Sequence, residues 1–221
     1  MIIFSLRSII SRSPIALLLL FPSKFLAYCF SKNHRIIIDI GCGEGSSMLR
    51  TMRKLGFNLI IGIDINLRSL YKAKKSRLFD DVICSLAPYL PLKNGISSSV
   101  ALCADVIEHL NKEQGFKYLD LLENIVERII IITPNGFIYQ PPENDNPFQA
   151  HLSGWSIEEM KTLGYKVFGV DGILPRSETG MPYFAWLKGP AIFLHLIGLF
   201  LQPILSSYPK LAFRIFCVKD S

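Results

Sequence analysis

Asp39, Gly41, Gly43 and Gly45 occupy alternate positions of the run Ile36-Ile37-Ile38-Asp39-Ile40-Gly41-Cys42-Gly43-Glu44-Gly45-Ser46-Ser47. An apolar stretch that runs into glycines at every second place can turn tightly and approach a ligand with no Cβ atoms in the way. A helix opening behind such a loop offers N–H groups to an anionic group. Asp64 closes a second apolar run, Ile60-Ile61-Gly62-Ile63-Asp64-Ile65-Asn66, where a carboxylate can accept hydrogen bonds from two sugar hydroxyls. Loop and acid together are suited to holding a nucleoside-like ligand.

Two cofactor classes use such a loop. A dinucleotide fingerprint, G-x-G-x-x-G, would align Gly41, Gly43 and position 46, but Ser46 stands there and the fingerprint is incomplete. The D-x-G-x-G-x-G arrangement from Asp39 to Gly45 instead resembles the first motif of class I S-adenosylmethionine-dependent methyltransferases, type 11-like. Pro88-Tyr89-Leu90-Pro91-Leu92 and Val100-Ala101-Leu102-Cys103-Ala104-Asp105-Val106-Ile107-Glu108-His109-Leu110 resemble the third and fourth strand regions of the same family. The segments carrying the resemblance lie between about residues 35 and 110.

The resemblance implies S-adenosylmethionine as cofactor and assigns roles to named positions. Asp39 would position the glycine loop and the cofactor amino group, Asp64 would hold the ribose, and Ser85 and Leu86 would meet adenine. Gly41, Cys42, Gly43, Gly45, Ile65 and Asp105 complete the expected cofactor contacts. The family often has Asp where this chain has Ser85, so adenine recognition is expected to use a hydroxyl or main-chain groups. The implied fold is a three-layer α/β Rossmann-like domain with a mostly parallel seven-stranded sheet and an antiparallel last strand.

Acceptor chemistry has fewer markers. Asp105, Glu108 and His109 stand where a strand gives way to a helix, the carboxyl edge at which open α/β sheets bind ligands. The stretch from Thr133 to Phe137, with Asn146-Pro147-Phe148-Gln149-Ala150-His151-Leu152-Ser153-Gly154-Trp155, resembles a subset of small methyltransferases with a loop after strand five. That loop offers His151 as a titratable base, Asn146 and Gln149 as amides and Trp155 as an aromatic wall. His151 and His109 are the candidate catalytic residues. No N-P-P-Y or D-P-P-Y tetrapeptide follows the fourth strand, which argues against methylation of nucleic acid bases.

The elements that must position these residues alternate short β-branched runs with helical patterns, the mark of a parallel sheet wrapped by crossover helices. Strands are expected over residues 35–40, 58–63, 81–84, 100–104, 128–133, 165–170 and 211–218, with helices through about 55, over 67–76, around 118–127 and over 156–163. One domain spans residues 1–221. Residues 1–34 are expected to cover the sheet as helices, and residues 171–210 form an insertion between the last two strands. Its apolar block, residues 191–201, would rise only about 16 Å as a helix, short of a roughly 30 Å hydrocarbon core. The stretch 191–205 is therefore a candidate for peripheral membrane contact or for closing the acceptor pocket, and the acceptor is expected to be a small molecule or lipid-like.

Composition narrows the partners further. The formal charge of +6 suits phosphate or anionic lipid, yet Arg68, Lys72, Lys74, Lys75 and Arg77 have the spacing of a solvated helix face, and nucleic acid is not expected as a partner. Five scattered cysteines, Cys29, Cys42, Cys84, Cys103 and Cys217, form no C-x-x-C pair and have no histidine spaced to complete a zinc site. Reduced thiols in the cytoplasm and no metal are the reading. Arg7 and Arg12 before residues 15–21 imitate a secretory signal, but Pro22, Lys24 and the lack of a small-residue cleavage pattern oppose it. A membrane-associated binding protein on a degenerate nucleotide fold is the alternative function.

Overall fold

The computed structural model describes residues 34–46, 48–54, 56–142, 147–170, 201 and 204–221. The expected helices of residues 1–34 (His34 itself excepted), Asn146, and all of the 171–210 insertion but residues 201 and 204–210 lie outside them. No helix among the described residues is long and apolar enough to cross a membrane.

Seven strands form one sheet: β1 Ile36–Ile40, β2 Leu59–Asp64, β3 Asp81–Cys84, β4 Ile96–Ala104, β5 Val126–Pro134, β6 Lys166–Val170 and β7 Arg214–Asp220. Their order is β3-β2-β1-β4-β5-β7-β6. The pairs from β3 through β5 are parallel, and β7 enters antiparallel between β5 and β6. The architecture is the α/β one expected, with the last strand reversed.

Helices α1 Met48–Lys54 and α2 Leu67–Ser76 cover one face, where Leu49, Met52, Leu70 and Ala73 pack on Ile37, Ile60 and Leu102. Helices α3 Lys112–Ile125 and α4 Ile157–Thr162 cover the other through Tyr118, Leu122 and Met160 against Ile38, Ile40, Ala101 and Ile131. Alternate residues of one strand thus feed opposite cores, which is why the strands read as unbroken apolar runs. The α2 boundary follows from chemistry at its start: Asn66 caps it by accepting from Arg68 N and Ser69 N at 3.0 and 3.1 Å. Arg68, Lys72, Lys74, Lys75 and Arg77 are all exposed, as a solvated face requires.

Several boundaries differ from the sequence reading, among them the start of α3, which lies at Lys112 and not near 118. β4 begins at Ile96, before the apolar run, because Ile96 pairs with Val126 of β5 and Ser99 with Ile36 of β1, across an irregularity at which Ser98 takes φ 57°. The segment after Asp105 is a single 3-10 turn, Ile107–His109, since Asp105 itself sits at φ 56° and breaks the chain direction. β7 is shifted toward the C-terminus: Pro209–Leu211 forms a 3-10 turn, while Lys219 and Asp220 continue the pairing with Ile129 and Arg128.

Candidate active site

The glycine loop is fastened to β2. Gly41 N and Cys42 N donate to Ile63 O at 2.8 and 3.1 Å, and Gly45 N donates to Cys42 O at 2.9 Å. Gly43 N donates to Asp64 Oδ2 at 2.8 Å, and Asn66 N to Asp64 Oδ1 at 2.7 Å. The N–H groups of Gly41, Cys42, Gly43 and Gly45 are therefore used within the protein, which fixes the loop against the end of β2. Gly41 adopts φ 69°, and a Cβ there would stand 2.4 Å from Val106 Cγ2, so only glycine allows this turn to close against the end of β4.

A cleft opens at the carboxyl edge of the sheet. Its walls include six of the expected cofactor residues, Gly41, Asp64, Ile65, Ser85, Leu86 and Asp105, together with His109, Phe148 and Gln149. Asp39 and Cys42 are buried, and neither they nor Gly43 and Gly45 line it. Each Asp64 oxygen accepts one N–H, which leaves lone pairs for a ribose diol. Ser85 Oγ donates to Tyr89 O at 2.5 Å, so its hydroxyl proton is engaged within the loop and its oxygen is what a ligand would meet.

Burial, and secondarily the Asp64 charge, raise the Asp39 carboxyl to about 7. A cation nearby would reverse that shift. The amino group and sulfonium of S-adenosylmethionine are both positive, so this pair of acids fits the group as well as the ribose-binding position does.

The acceptor side is built from two segments brought together. In the turn after β4, Glu108 is almost fully buried, and its Oε2 accepts from Thr133 Oγ1 at 3.0 Å. Burial, with the Asp105 charge adding to it, pushes the Glu108 carboxyl well above the usual carboxylate range. Asp105 pairs with Arg214 of β7, a partner that sequence gave no means to find. From the loop after β5, the His151 ring meets the His109 ring edge to face, with centroids 4.9 Å apart. His109 Nδ1 donates to Ala150 O at 3.0 Å and His151 Nδ1 to Ile138 O at 2.7 Å, since a carbonyl can only accept. Burial holds the His151 pKa below its ordinary value. His109 faces the cleft, whereas His151 stands outside its lining.

Main-chain bonds hold the two segments in register. Leu152 N and Ser153 N donate to Glu108 O at 2.8 and 3.1 Å, and Trp155 Nε1 reaches Ser153 Oγ at 3.0 Å and Ile107 O at 3.3 Å. Trp155 is fully buried, edge to face with Phe116 and below Lys112, whose Nζ lies 3.7 Å from its ring centroid. It is a fastener of the loop and does not form the aromatic wall expected from the sequence. Phe148, half-exposed at the cleft, takes that place.

Residues 38–125 match the family described as "Methyltransferase domain". A S-adenosylmethionine-dependent methyltransferase from Archaeoglobus fulgidus has a similar structure at 19% identity, with 99% of each chain covered and a TM-score of 0.54. One from Aquifex aeolicus is similar at 20% identity, covering 74% of this chain and 92% of that one, with a TM-score of 0.50. The [4+2]-cyclase SpnF is similar at 14% identity, covering 90% and 79%, with a TM-score of 0.51. No curated protein matches in sequence. With its glycine loop, its two acids and its sheet order, the chain is similar over residues 38–125 to the class I, Rossmann-like methyltransferases, a family whose cofactor is S-adenosylmethionine.

Proposed function

We propose that the chain transfers a methyl group from S-adenosylmethionine to a small-molecule or lipid-like acceptor that enters the cleft beside His109, Phe148 and Gln149. The observation that carries this reading is that Asp64, Ser85 and Leu86 line the same cleft as His109 and Phe148. The cofactor, when bound, supplies an electrophilic methyl group. Asp64 would accept from the ribose, Asp39 would balance positive charge through the loop, and the protein's remaining work is alignment, an effect reaching about 7–11 kcal/mol in favourable cases.

Phe148, Leu152 and Tyr139, all exposed on the loop after β5, support an acceptor with apolar surface. The four described cysteines are free thiols, three of them buried, which supports a reducing, cytoplasmic setting. Because the fold also occurs in a protein named as a cyclase, methyl transfer itself needs a direct test.

Calorimetric titration with S-adenosylmethionine, S-adenosylhomocysteine and NAD, beside an Asp64→Ala variant, supplies it. Micromolar binding of both adenosyl ligands, lost in the variant and absent for NAD, is the expected result. S-adenosylhomocysteine release is then followed with hydroxylated or amino-bearing apolar small molecules, free and in lipid vesicles. Well-folded protein that binds neither adenosyl ligand would overturn the reading.

A further inference from the structure

Glu108 and His109 are neighbours in sequence and His151 comes from the separate loop after β5, yet each offers a ligand atom, and those atoms all fall within 4.8 Å of one another. We infer that they form a binding site for one divalent transition-metal ion on the acceptor side of the cleft.

Three observations carry this. Glu108 is only 2% exposed, and while Oε2 is engaged by Thr133, the buried Oε1 has no hydrogen-bond partner. Native proteins seldom leave a desolvated oxygen without a donor, and a cation satisfies it. Both histidines donate through Nδ1 to main-chain carbonyls, Ala150 O and Ile138 O. That arrangement fixes the tautomer and leaves Nε2 as the atom with a lone pair, the outer-shell pattern of metal-bound imidazole. The two segments that supply the ligands are tied by Leu152 N and Ser153 N to Glu108 O, so the cluster is held by the fold.

Two imidazoles and one carboxylate favour Mn²⁺, Fe²⁺, Co²⁺ or Zn²⁺ over Mg²⁺ or Ca²⁺, which prefer all-oxygen sets. Three protein ligands leave coordination positions open. His109 lines the cleft, so an ion on its Nε2 borders the acceptor space and can take an acceptor oxygen as a further ligand, orienting it and lowering the pKa of a hydroxyl. This last link rests on the methyl-transfer reading, and it gives the two histidines the work of holding the ion in place of taking a proton. The metal site itself rests on the cluster alone.

The test uses the full chain stripped with chelator, without cofactor, titrated with CoCl2, MnCl2 and MgCl2 by calorimetry and, for Co²⁺, by visible absorption. One equivalent of Co²⁺ should bind with absorption bands of nitrogen and oxygen ligation, at least tenfold more tightly than Mg²⁺. Glu108→Gln and His151→Ala should each weaken it by about tenfold or more while the circular dichroism stays native. Should Glu108→Gln fail to fold, the half-buried His151 position carries the comparison. No saturable Co²⁺ binding, equal affinity for Mg²⁺, or wild-type affinity in a folded variant would overturn the site. Cofactor affinity is measured separately, so loss of one assignment leaves the other standing.

Discussion

The carboxylate of Asp64 and the main-chain N–H of Gly43 meet at 2.8 Å, joining the carboxyl end of β2 to the middle of the glycine loop. With Asn66 N on its other oxygen at 2.7 Å, Asp64 orders the loop, begins the turn into α2 and lines the cleft at once. Asp64→Asn can keep only one of these two acceptors, because the amide nitrogen must face a donor. It should cost about 1 kcal/mol of stability and roughly tenfold or more in S-adenosylmethionine affinity, read by thermal melting and calorimetry. Equal cofactor affinity in Asp64→Asn would show that the acid acts on the loop alone.

Asp39 sets a pH dependence. Its carboxyl is raised from 3.8 to about 7 in the fold, so between those values the folded state keeps a proton that the unfolded state has lost. Stability of the cofactor-free protein should accordingly fall as pH rises from about 4 through 7 and level off above, once both states are ionised. Asp39→Asn removes that slope and should melt higher than wild type at pH 8, while binding S-adenosylmethionine more weakly because the buried negative charge is gone. Melting curves across pH for both proteins decide it; parallel curves would rule out Asp39 as the source.

Gly41 couples the loop to Val106. Gly41→Ala places a Cβ 2.4 Å from Val106 Cγ2 at φ 69°, which combines about 1–2 kcal/mol of backbone strain with roughly 1–3 kcal/mol of overpacking. Adding Val106→Ala should recover the overpacking part but leave the backbone part. A double-mutant cycle in chemical denaturation therefore predicts a favourable coupling between the two substitutions, and strict additivity would contradict the contact.

Some of this was legible in sequence for physical reasons. β3 and α2 were read to the residue because polar breaks bound them and Asn66 caps the helix. The start of α3 was missed although its signal was present: Asn111 and Gln114 form a capping box, each side chain bonding the other's main-chain N–H. The front of β4 was hidden because three serines carry no apolar pattern. At the site, the cofactor half was readable because one short motif and one strand end supply it. The acceptor half was not, since Arg214 reaches Asp105 and His151 reaches His109 only through the order of β4, β5 and β7. Nothing local in the sequence marks Glu108 as the buried member of that group.

The loop bearing His151 depends on a close approach between α3 and Trp155. Replacing a glycine inside a helix by alanine ordinarily adds about 1 kcal/mol of stability. Gly115 lies within α3, but a Cβ there would stand 2.3 Å from Trp155 Cζ2, and the indole is fully buried with its Nε1 bonded to Ser153 and Ile107. Gly115→Ala should therefore destabilise the protein by about 1–3 kcal/mol, reversing the usual sign. Because the indole and the Ser153 hydroxyl fasten the segment that follows His151, the same variant should loosen that histidine from His109. The check pairs denaturant unfolding with NMR of the imidazole resonances: reduced stability with a shifted His151 signal is expected. Increased stability would mean that the ring has room to move, and that the loop is positioned by the main-chain bonds to Glu108 O without it.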